Sequence, residues 1–393
     1  MPDSVVRHVK KLSTEIGARP GGSPANWAAA HYIESVFRQC GMAVEMQDFA
    51  CPAWEELGAW LCFDNTALTV AANAFSPSCL VTATTLLIGS LAELEAADLR
   101  GKVAVLHGDF VRSPLPPKAW TFKGPEETRV VELLEEKAPA AIVTVQARAG
   151  SLERIIEDWE FPIPSVTVPA HVGELLRANA GEPIRLRVDS RRTPGSTANV
   201  VGRLHGQCRE QLVICAHYDT KIDTPGATDN ATGVAVMLAL AERLCREDQP
   251  YSLEFVAFTN EEYMPIGDDE YVRRRADGFG HVLAAMNFDA VGLAAGPNTI
   301  AAFNLPPETQ HAVDQVVGRF PDVTWTEPWP ESNHSTFALC GVPTLAFTAR
   351  AENPSYHLRS DTVELVSPQR LAEMVDLGAS LVAELACRTP VFA

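Results

Sequence analysis

The chain has 393 residues, 46% hydrophobic and 21% charged, a composition typical of a globular protein with one large domain or two ordinary ones. Its net charge of −18 argues against nucleic acid and anionic membranes as partners. Nine cysteines without a CxxC pair favour a reducing compartment. Because no signal peptide or transmembrane run is evident, we expect a cytoplasmic protein, whose oligomeric state the sequence does not reveal.

The first 51 residues predict two helices and one strand. Apolar residues recur with the helical period through residues 3–17. After a loop rich in glycine and proline, Ser23 is a favourable N-cap and Pro24 suits the first position of a second helix, which Gly41 can end. Residues 43–49 alternate between apolar and polar, as a strand does.

Residues 52–190 predict a smaller, β-rich domain inserted into the chain. Short apolar runs are separated by turns and by two helical segments near 130–136 and 171–179. The strand-like runs are residues 80–87, 103–106, 141–145, 166–168 and 184–188. A turn-rich stretch at 191–196 ends this domain.

From residue 191 to 393, strands alternate with helices, which predicts an α/β fold with a mixed sheet covered by helices on both faces. The predicted strands are residues 199–204, 211–216, 251–259, 282–288 and 343–347. The predicted helices are residues 232–246, 268–275, 307–318 and 368–384.

The stretch from residue 211 to 233 combines a buried strand with polar residues at its carboxyl end. The strand leads into His217 and Asp219, and Asp229 precedes the next helix. At this edge of an α/β sheet, His217 could bind a metal, Asp219 could orient its ring, and Asp229 could bridge two cations. Taken alone, the same residues also fit an ordinary polar histidine and a helix N-cap.

Three further clusters follow predicted strands: Glu261 with Glu262, Asp289, and His357 with Asp361. Each alone could be an exposed polar loop. Together, these clusters and the first stretch provide five candidate metal ligands, which are His217, Asp229, Glu262, Asp289 and His357. Two histidines and three carboxylates without cysteine suit a pair of zinc ions, or cobalt or manganese, with Asp229 shared.

The order of these motifs resembles the M28 family of zinc peptidases, of the aminopeptidase Y and aminopeptidase S type. The resemblance rests on GARPGGSPAN, HYD, GATDNATG, NEE, NFD, SNHSTFALCGVPT and YHLRSDT. It implies a zinc-exopeptidase fold. Within the insert, GKVAVLHGDF, APAAIVTV and FPIPSVTVP resemble the protease-associated (PA) domain.

The resemblance implies a role for each matching residue. His217 and Asp289 would hold one zinc, Glu262 and His357 the other, and Asp229 both. Glu261 would be the general base that takes a proton from the metal-bridging water, and Asp219 would support His217. The family pattern also implies a cis peptide bond between Asp229 and Asn230. Asp361 would either support His357 or cap the helical segment at 363–365.

The chain departs from the family pattern at three places. Ser332-Asn333-His334 replaces a frequent Ser-Asp-His, and Trp329 lies where the family often has a tyrosine that helps the oxyanion. The segment 264–268 is more acidic than the usual glycine-rich one. Trp325, Trp329 and Phe337 could line a substrate pocket or be ordinary core or rim residues.

These features predict a di-zinc aminopeptidase that acts on short peptides. A carboxypeptidase or amidase on the same scaffold is the alternative. A free amine would need acceptors such as Glu331, and a free carboxylate would need Arg350 or Arg359. A non-catalytic scaffold and a one-zinc glutaminyl cyclase are disfavoured, because all five ligands and Glu261 are present.

Overall fold

The computed structural model describes residues 2–120, 123–147, 152–351 and 356–386. Ten of the described segments are α-helices: α1 Pro2–Lys10, α2 Pro24–Gln39, α3 Leu91–Ala96, α4 Pro125–Lys137, α5 Ala170–Ala178, α6 Thr232–Leu244, α7 Ile266–Arg274, α8 Pro307–Val317, α9 His334–Leu339 and α10 Pro368–Ala386. None of these helices combines the length and the apolar character needed to cross a membrane.

Fourteen described segments are strands: β1 Ala43–Phe63, β2 Thr66–Leu68, β3 Ala71–Ala72, β4 Cys79–Ile88, β5 Val103–Leu106, β6 Ala141–Val145, β7 Ser165–Val168, β8 Pro183–Leu204, β9 Gln211–His217, β10 Ser252–Phe258, β11 Val282–Phe288, β12 Asn298–Phe303, β13 Val323–Trp325 and β14 Thr344–Ala349. Every predicted helix and strand is present, but β1 continues to Phe63 instead of ending at residue 49, and the strands predicted at 184–188 and 199–204 are parts of the single strand β8. The predicted turn at 191–196 is wrong, because those residues lie inside β8.

The chain divides into two compact units. The larger unit consists of Met1–Cys51 and Ser196–Ala393, and the smaller unit is Pro52–Gly195. The boundaries therefore fall within the long strands β1 and β8 rather than at turns.

The larger unit is built on a mixed sheet with the strand order β13-β12-β14-β11-β9-β10-β8. The four strands β14, β11, β9 and β10 are parallel, whereas β12 and β8 run antiparallel to their neighbours β14 and β10. The mixed α/β sheet predicted from the alternation of strands and helices is thus confirmed. Parallel strands end at a common edge, which brings together the residues that follow them.

Strand β9 shows why the sheet is covered on both faces. Leu212, Ile214 and Ala216 belong to the core cluster that also contains residues of α1, α2, α6 and α10. The intervening residues Val213 and Cys215 belong to a second cluster on the other face. Because side chains alternate along a strand, an uninterrupted apolar run is what a doubly covered strand needs.

The smaller unit has its own sheet and its own cores. Strands β4, β5, β6 and β7 are parallel, and β3 is antiparallel to β7. Helices α3 and α4 contribute Leu94, Val130 and Leu134 to one core cluster, and α5 contributes Val172 and Leu176 to another. Two clusters with separate helices allow this unit to bury its sheet by itself.

Gly233 of α6 packs directly on the end of β11. A Cβ atom there would lie 2.1 Å from the main-chain oxygen of Phe288, which cannot move away as a flexible side chain would. We therefore expect Gly233→Ala to lower the free energy of unfolding by about 1–3 kcal/mol, the usual cost of overpacking. Urea denaturation of the purified protein measures this loss as a lower midpoint.

The matched control is Gly280→Ala, since a Cβ atom at Gly280 would meet nothing within 4 Å. It should unfold at the wild-type urea concentration. Equal midpoints for all three proteins would contradict the close approach of α6 to β11.

Candidate metal centre

The seven site residues predicted from the sequence come together at one edge of the larger sheet. His217 is the last residue of β9, Asp289 directly follows β11, and Glu261 lies in the turn after β10. Glu262 follows Glu261, and Asp219 follows His217 by two positions. Asp229 lies in the turn Ala227–Ala231 before α6, and His357 lies after β14. The shared edge results from the parallel arrangement of β9, β10, β11 and β14.

The carboxylate of Asp229 lies between the two imidazoles. Its Oδ1 is 3.3 Å from Nε2 of His217, and its Oδ2 is 3.0 Å from Nε2 of His357. Asp289 Oδ1 lies 3.4 Å from His217 Nε2, and Glu262 Oε2 lies 3.2 Å from His357 Nε2. The geometry is that of two adjacent groups of donors that share one carboxylate.

These separations fit a pair of divalent cations. Zinc–ligand bonds of about 2.0–2.2 Å at tetrahedral angles leave neighbouring donor atoms about 3.3–3.6 Å apart. The donor pairs here lie between 3.0 and 3.4 Å apart. Oε1 of Glu262 is buried without a hydrogen-bond partner in the described part of the chain, an unsatisfied state that a cation would relieve. The donors therefore suit zinc in both number and type.

The site concentrates negative charge. Burial raises the pKa of Glu261 well above its usual range, and Asp289 and Glu262 raise it further, against the opposing effect of His217. Burial and Lys221 lower the pKa of His357, but Glu262 and Asp229 outweigh them and raise it to about 10. Carboxylates this close repel one another, and a bound cation would offset that repulsion.

Glu261 lies beside the donor groups. Its Oε2 is 3.9 Å from His217 Nε2, further than any of the four ligand contacts. Glu261 also belongs to a group with His217 and Asp289 whose donor atoms lie within 4.8 Å of one another. Its carboxylate is therefore near the candidate ions but is less closely associated with the donors than Asp289 or Glu262.

Asp219 connects two of the ligand segments. Its Oδ1 lies 3.5 Å from His217 Nδ1, at the limit of a hydrogen bond. The same carboxylate accepts hydrogen bonds from the main-chain N–H groups of Glu261 at 3.2 Å and Glu262 at 3.3 Å. Asp219 thus fixes the turn that presents both glutamates, and it lies beside His217 Nδ1 without a hydrogen bond to it.

Asp361 performs neither of the roles considered for it. Its Oδ1 accepts hydrogen bonds from the N–H of Thr228 at 2.8 Å and the hydroxyl of Thr228 at 2.6 Å, and its Oδ2 accepts from the N–H of Asp229 at 3.1 Å. The N-cap of the turn Val363–Leu365 is Thr362. Burial raises the pKa of Asp361 to about 6 against the effect of these hydrogen bonds. Asp361 therefore holds the backbone that presents Asp229, the candidate shared ligand.

Asn230 fixes the other side of Asp229. The peptide bond between the two residues is cis, as predicted from the family resemblance. The Asn230 amide donates to the oxygen of Phe288 at 2.9 Å and accepts from the N–H groups of Gly233 and Ala290. The Asn230 side chain therefore connects the start of α6 to the end of β11. Its two partners there, Phe288 and Ala290, are the residues immediately before and after Asp289. No pattern in the sequence indicated this role.

Two departures from the family pattern meet in one buried contact. The Nδ2 of Asn333 donates to both oxygens of Asp268, at 3.0 and 2.9 Å, and the hydroxyl of Thr336 donates at 2.5 Å. Asp268 lies in the unexpectedly acidic segment near the start of α7. The amide at 333 and the carboxylate at 268 are therefore hydrogen-bonding partners.

The aromatic residues considered for a substrate pocket have different environments. Phe337 is fully buried with Phe258 and Tyr271, so of the two alternatives it is an ordinary core residue. Trp325 is 41% exposed on the edge strand β13. The ring of Trp329 packs against His334 at 5.0 Å, with a hydrogen-bond contact of 2.7 Å between His334 Nε2 and the oxygen of Trp329.

Residues 199–382 match the model of peptidase family M28. This chain contains an M28 peptidase domain. The aminopeptidase YwaD of Bacillus subtilis is 25% identical over 397 residues, which cover 96% of this chain and 83% of that protein.

Solved structures share the fold of this chain. A zinc aminopeptidase from Bacillus subtilis matches with a TM-score of 0.82 at 21% identity and covers 100% of this chain and 96% of its own. An aminopeptidase from Aneurinibacillus sp. strain AM-1 matches with a TM-score of 0.76 at 23% identity, covering 98% and 94%. The agreement extends over essentially the whole chain and includes both units.

Replacing Asp361 with asparagine tests its hold on the shared ligand. An amide offers one acceptor oxygen, so a donor from Thr228 or Asp229 would face an NH₂ group instead. We expect zinc affinity to fall about 10- to 100-fold, as for other residues that orient metal ligands. Competition with a colorimetric chelator measures this without reference to activity.

Asp376→Asn is the control, because Asp376 pairs with Arg243 at 2.8 Å and is half exposed, outside the site. It should bind zinc as the wild type does. Wild-type affinity in the Asp361 variant would contradict the positioning role.

Proposed function

We propose that this chain is a di-zinc aminopeptidase that hydrolyses the first peptide bond of short peptides. The observation that carries the proposal is the carboxylate of Asp229 lying 3.3 Å from one imidazole and 3.0 Å from the other. Glu261 beside His217 provides a group that can transfer protons. A bridging acid with an adjacent carboxylate suits metal-assisted hydrolysis.

In this proposal, His217 and Asp289 would hold one ion, Glu262 and His357 would hold the other, and Asp229 would bind both. Cobalt or manganese would suit the same donors. When bound, the ions polarise the scissile carbonyl and make water acidic enough to lose a proton near neutral pH. Asp219 would keep the imidazole of His217 in the orientation that ligation requires.

Glu261 is the proposed general base. Its carboxylate accepts a proton from the attacking water and returns it to the nitrogen of the departing amine. This role needs a carboxylate that is close to the ions without being consumed as a ligand. The hydrogen bond from the N–H of Glu261 to Asp219, at 3.2 Å, would fix the base relative to His217.

The expected substrate end is the free amine. A carboxypeptidase on the same scaffold would need a cation beside the ions; of the two candidates, Arg350 and Arg359, the second forms an exposed ion pair with Asp223 at 2.8 Å. Glu331, an exposed acid before α9, is a candidate partner for a substrate ammonium group. That both matched solved structures are described as aminopeptidases supports this choice. An amidase remains the alternative that the substrate screen below distinguishes.

We further propose that residues 52–190 form a PA-like insert and that the protein is located in the cytoplasm. The separate cores of the smaller unit support the first proposal. The eight cysteines within the described residues are free thiols, which supports a reducing compartment, and Cys387 lies outside the described residues.

Hydrolysis of dipeptides with free or blocked ends tests the substrate class. We expect cleavage to be lost when the amine alone is acetylated and to survive amidation of the carboxylate. A chelator should abolish turnover and added zinc should restore it, because the ions would supply the Lewis acid that polarises the scissile carbonyl. The opposite dependence on the blocked end would favour a carboxypeptidase, and cleavage of doubly blocked substrates would favour an amidase.

Glu261→Gln tests the general base. The amide cannot accept the proton, so kcat should fall at least about 10²- to 10⁴-fold while two zinc ions remain bound. Metal content by mass spectrometry and turnover of the best dipeptide measure the two quantities separately. Glu327→Gln, at an exposed position in the same unit, should leave both unchanged. Unchanged turnover in the Glu261 variant would refute the assignment.

A further inference from the structure

Arg19 is a charged residue that has no contact with solvent. Its exposed fraction is 0%, and it is among the largest side chains that are fully buried in the described part of the chain. Arginine is almost never fully buried unless its donors and its charge are both compensated. Both forms of compensation lead to the candidate metal centre.

All three nitrogens of the guanidinium donate to main-chain oxygens. Nε donates to Tyr218 at 2.5 Å, Nη1 to Pro225 at 2.8 Å, and Nη2 to Gly226 at 3.0 Å. Nη1 also donates to Gly17 at 3.2 Å and to Leu12 at 3.4 Å. A planar fork with five N–H groups can satisfy acceptors in several directions at once, which a lysine cannot.

Three of these acceptors lie at the two ends of one loop. Tyr218 lies between His217 and Asp219, whereas Pro225 and Gly226 closely precede Asp229. One guanidinium therefore joins the end of β9 to the turn that presents the shared ligand. The two segments supply a ligand each, so their separation determines the distance between those ligands.

The loop itself leaves little freedom. The main-chain N–H of Arg19 donates to the hydroxyl of Thr220 at 2.9 Å. Gly226 has φ +59°, and a Cβ atom there would lie 2.2 Å from Cγ2 of Thr220 and 2.5 Å from the oxygen of Asp229. The side chain and the backbone of Arg19 thus bind the same tightly folded loop.

A second connection reaches the glutamates. Asn26, in the first turn of α2, donates to the oxygen of Arg19 at 3.1 Å and to the hydroxyl of Thr259 at 3.0 Å. Thr259 follows β10 and lies two residues before Glu261. The segment from Arg19 to Asn26 therefore contacts the ends of both strands that lead into the site.

The positive charge is balanced at longer range. Burial lowers the pKa of Arg19 to about 10, and the charges of Asp219, Asp361, Asp229 and Glu262 oppose that effect. A buried cation is costly without counter-charges, and crowded carboxylates are costly without a cation. Arg19 and the acids of the site reduce each other's cost.

We propose that Arg19 is a positioning residue that orders the loop between His217 and Asp229 before any metal binds. The inference rests on the proposed metal centre and concerns how its ligands are arranged. It predicts that both the forked shape of the side chain and its charge are needed. A methionine removes both, and a lysine keeps only the charge.

The first experiment measures zinc affinity of Arg19→Met and Arg19→Lys by chelator competition. We expect each to bind zinc at least tenfold more weakly than the wild type. Arg203→Met is the control: Arg203 is a half-buried arginine paired with Glu254 and Glu45 in the same unit, so its loss costs stability away from the site. Wild-type affinity in either Arg19 variant would overturn the proposal.

The second experiment needs no variant and remains informative if Arg19→Met does not fold. Hydrogen exchange is measured in zinc-free wild-type protein over residues 218–229. If the loop is already ordered, its amides should exchange slowly without zinc. Added zinc should then slow their exchange by less than a further tenfold. Exchange at the rate of an unstructured peptide before zinc is added would overturn the proposal.

These outcomes are separable from those of the proposed function. Wild-type protein that binds zinc but cleaves no peptide would refute the function and leave the role of Arg19 intact. Wild-type protein that cleaves peptides, with an Arg19→Met variant of unchanged zinc affinity, would refute only the role of Arg19.

Discussion

The carboxylate of Asp229 is the contact on which the whole site depends. Its two oxygens face two imidazoles from distant parts of the chain, at 3.3 and 3.0 Å. One carboxylate placed between two partners cannot optimise its distance to each of them separately, because a shift that improves one contact worsens the other. Sites of this kind work only when the surrounding residues hold the ligand to within about 0.5 Å. Much of the polar structure near Asp229 is explained by this requirement.

The supporting side chains act on the backbone more than on the ligand side chains. Asp361 binds the N–H groups of Thr228 and Asp229, and Asp219 binds those of Glu261 and Glu262. Because these bonds hold main-chain N–H groups, the oxygen atoms of the candidate ligand carboxylates keep their lone pairs available. A hydrogen bond to a carboxylate oxygen would compete with a cation for the same electrons. The arrangement therefore orients the ligands while leaving their donor atoms available.

The difference between the ligands, which follow strands, and the supporting residues, which bind main-chain groups, explains what the sequence could predict. His217, Glu262 and Asp289 follow apolar strands, and parallel strands end at one edge, so their convergence follows from the pattern of strands and helices. Arg19 lies in the motif GARPGGSPAN, but its role could not be predicted, because its partners are main-chain oxygens of a loop and carry no residue-specific mark. The misplaced turn at 191–196 has another cause. Pairing of β8 with β4 ends at Val188 and pairing with β10 begins at Val200, so Pro194 and Gly195 lie outside these two ladders, while β8 also pairs with β1.

The pairing of Asn333 with Asp268 shows that motifs have to be compared by charge as well as by position. Considered separately, the missing acid at 333 and the additional acid at 268 are two departures from the family pattern. The structure joins them through two contacts of 3.0 and 2.9 Å. Acids at both positions would place two carboxylates about 3 Å apart in a buried pocket, where one would have to take up a proton. An amide opposite an acid avoids that repulsion and keeps α7, which follows the glutamates, bound to the start of α9. Relative to the family pattern, the negative charge is therefore not lost from this pocket. It lies on Asp268 of α7 instead of on residue 333 at the start of α9.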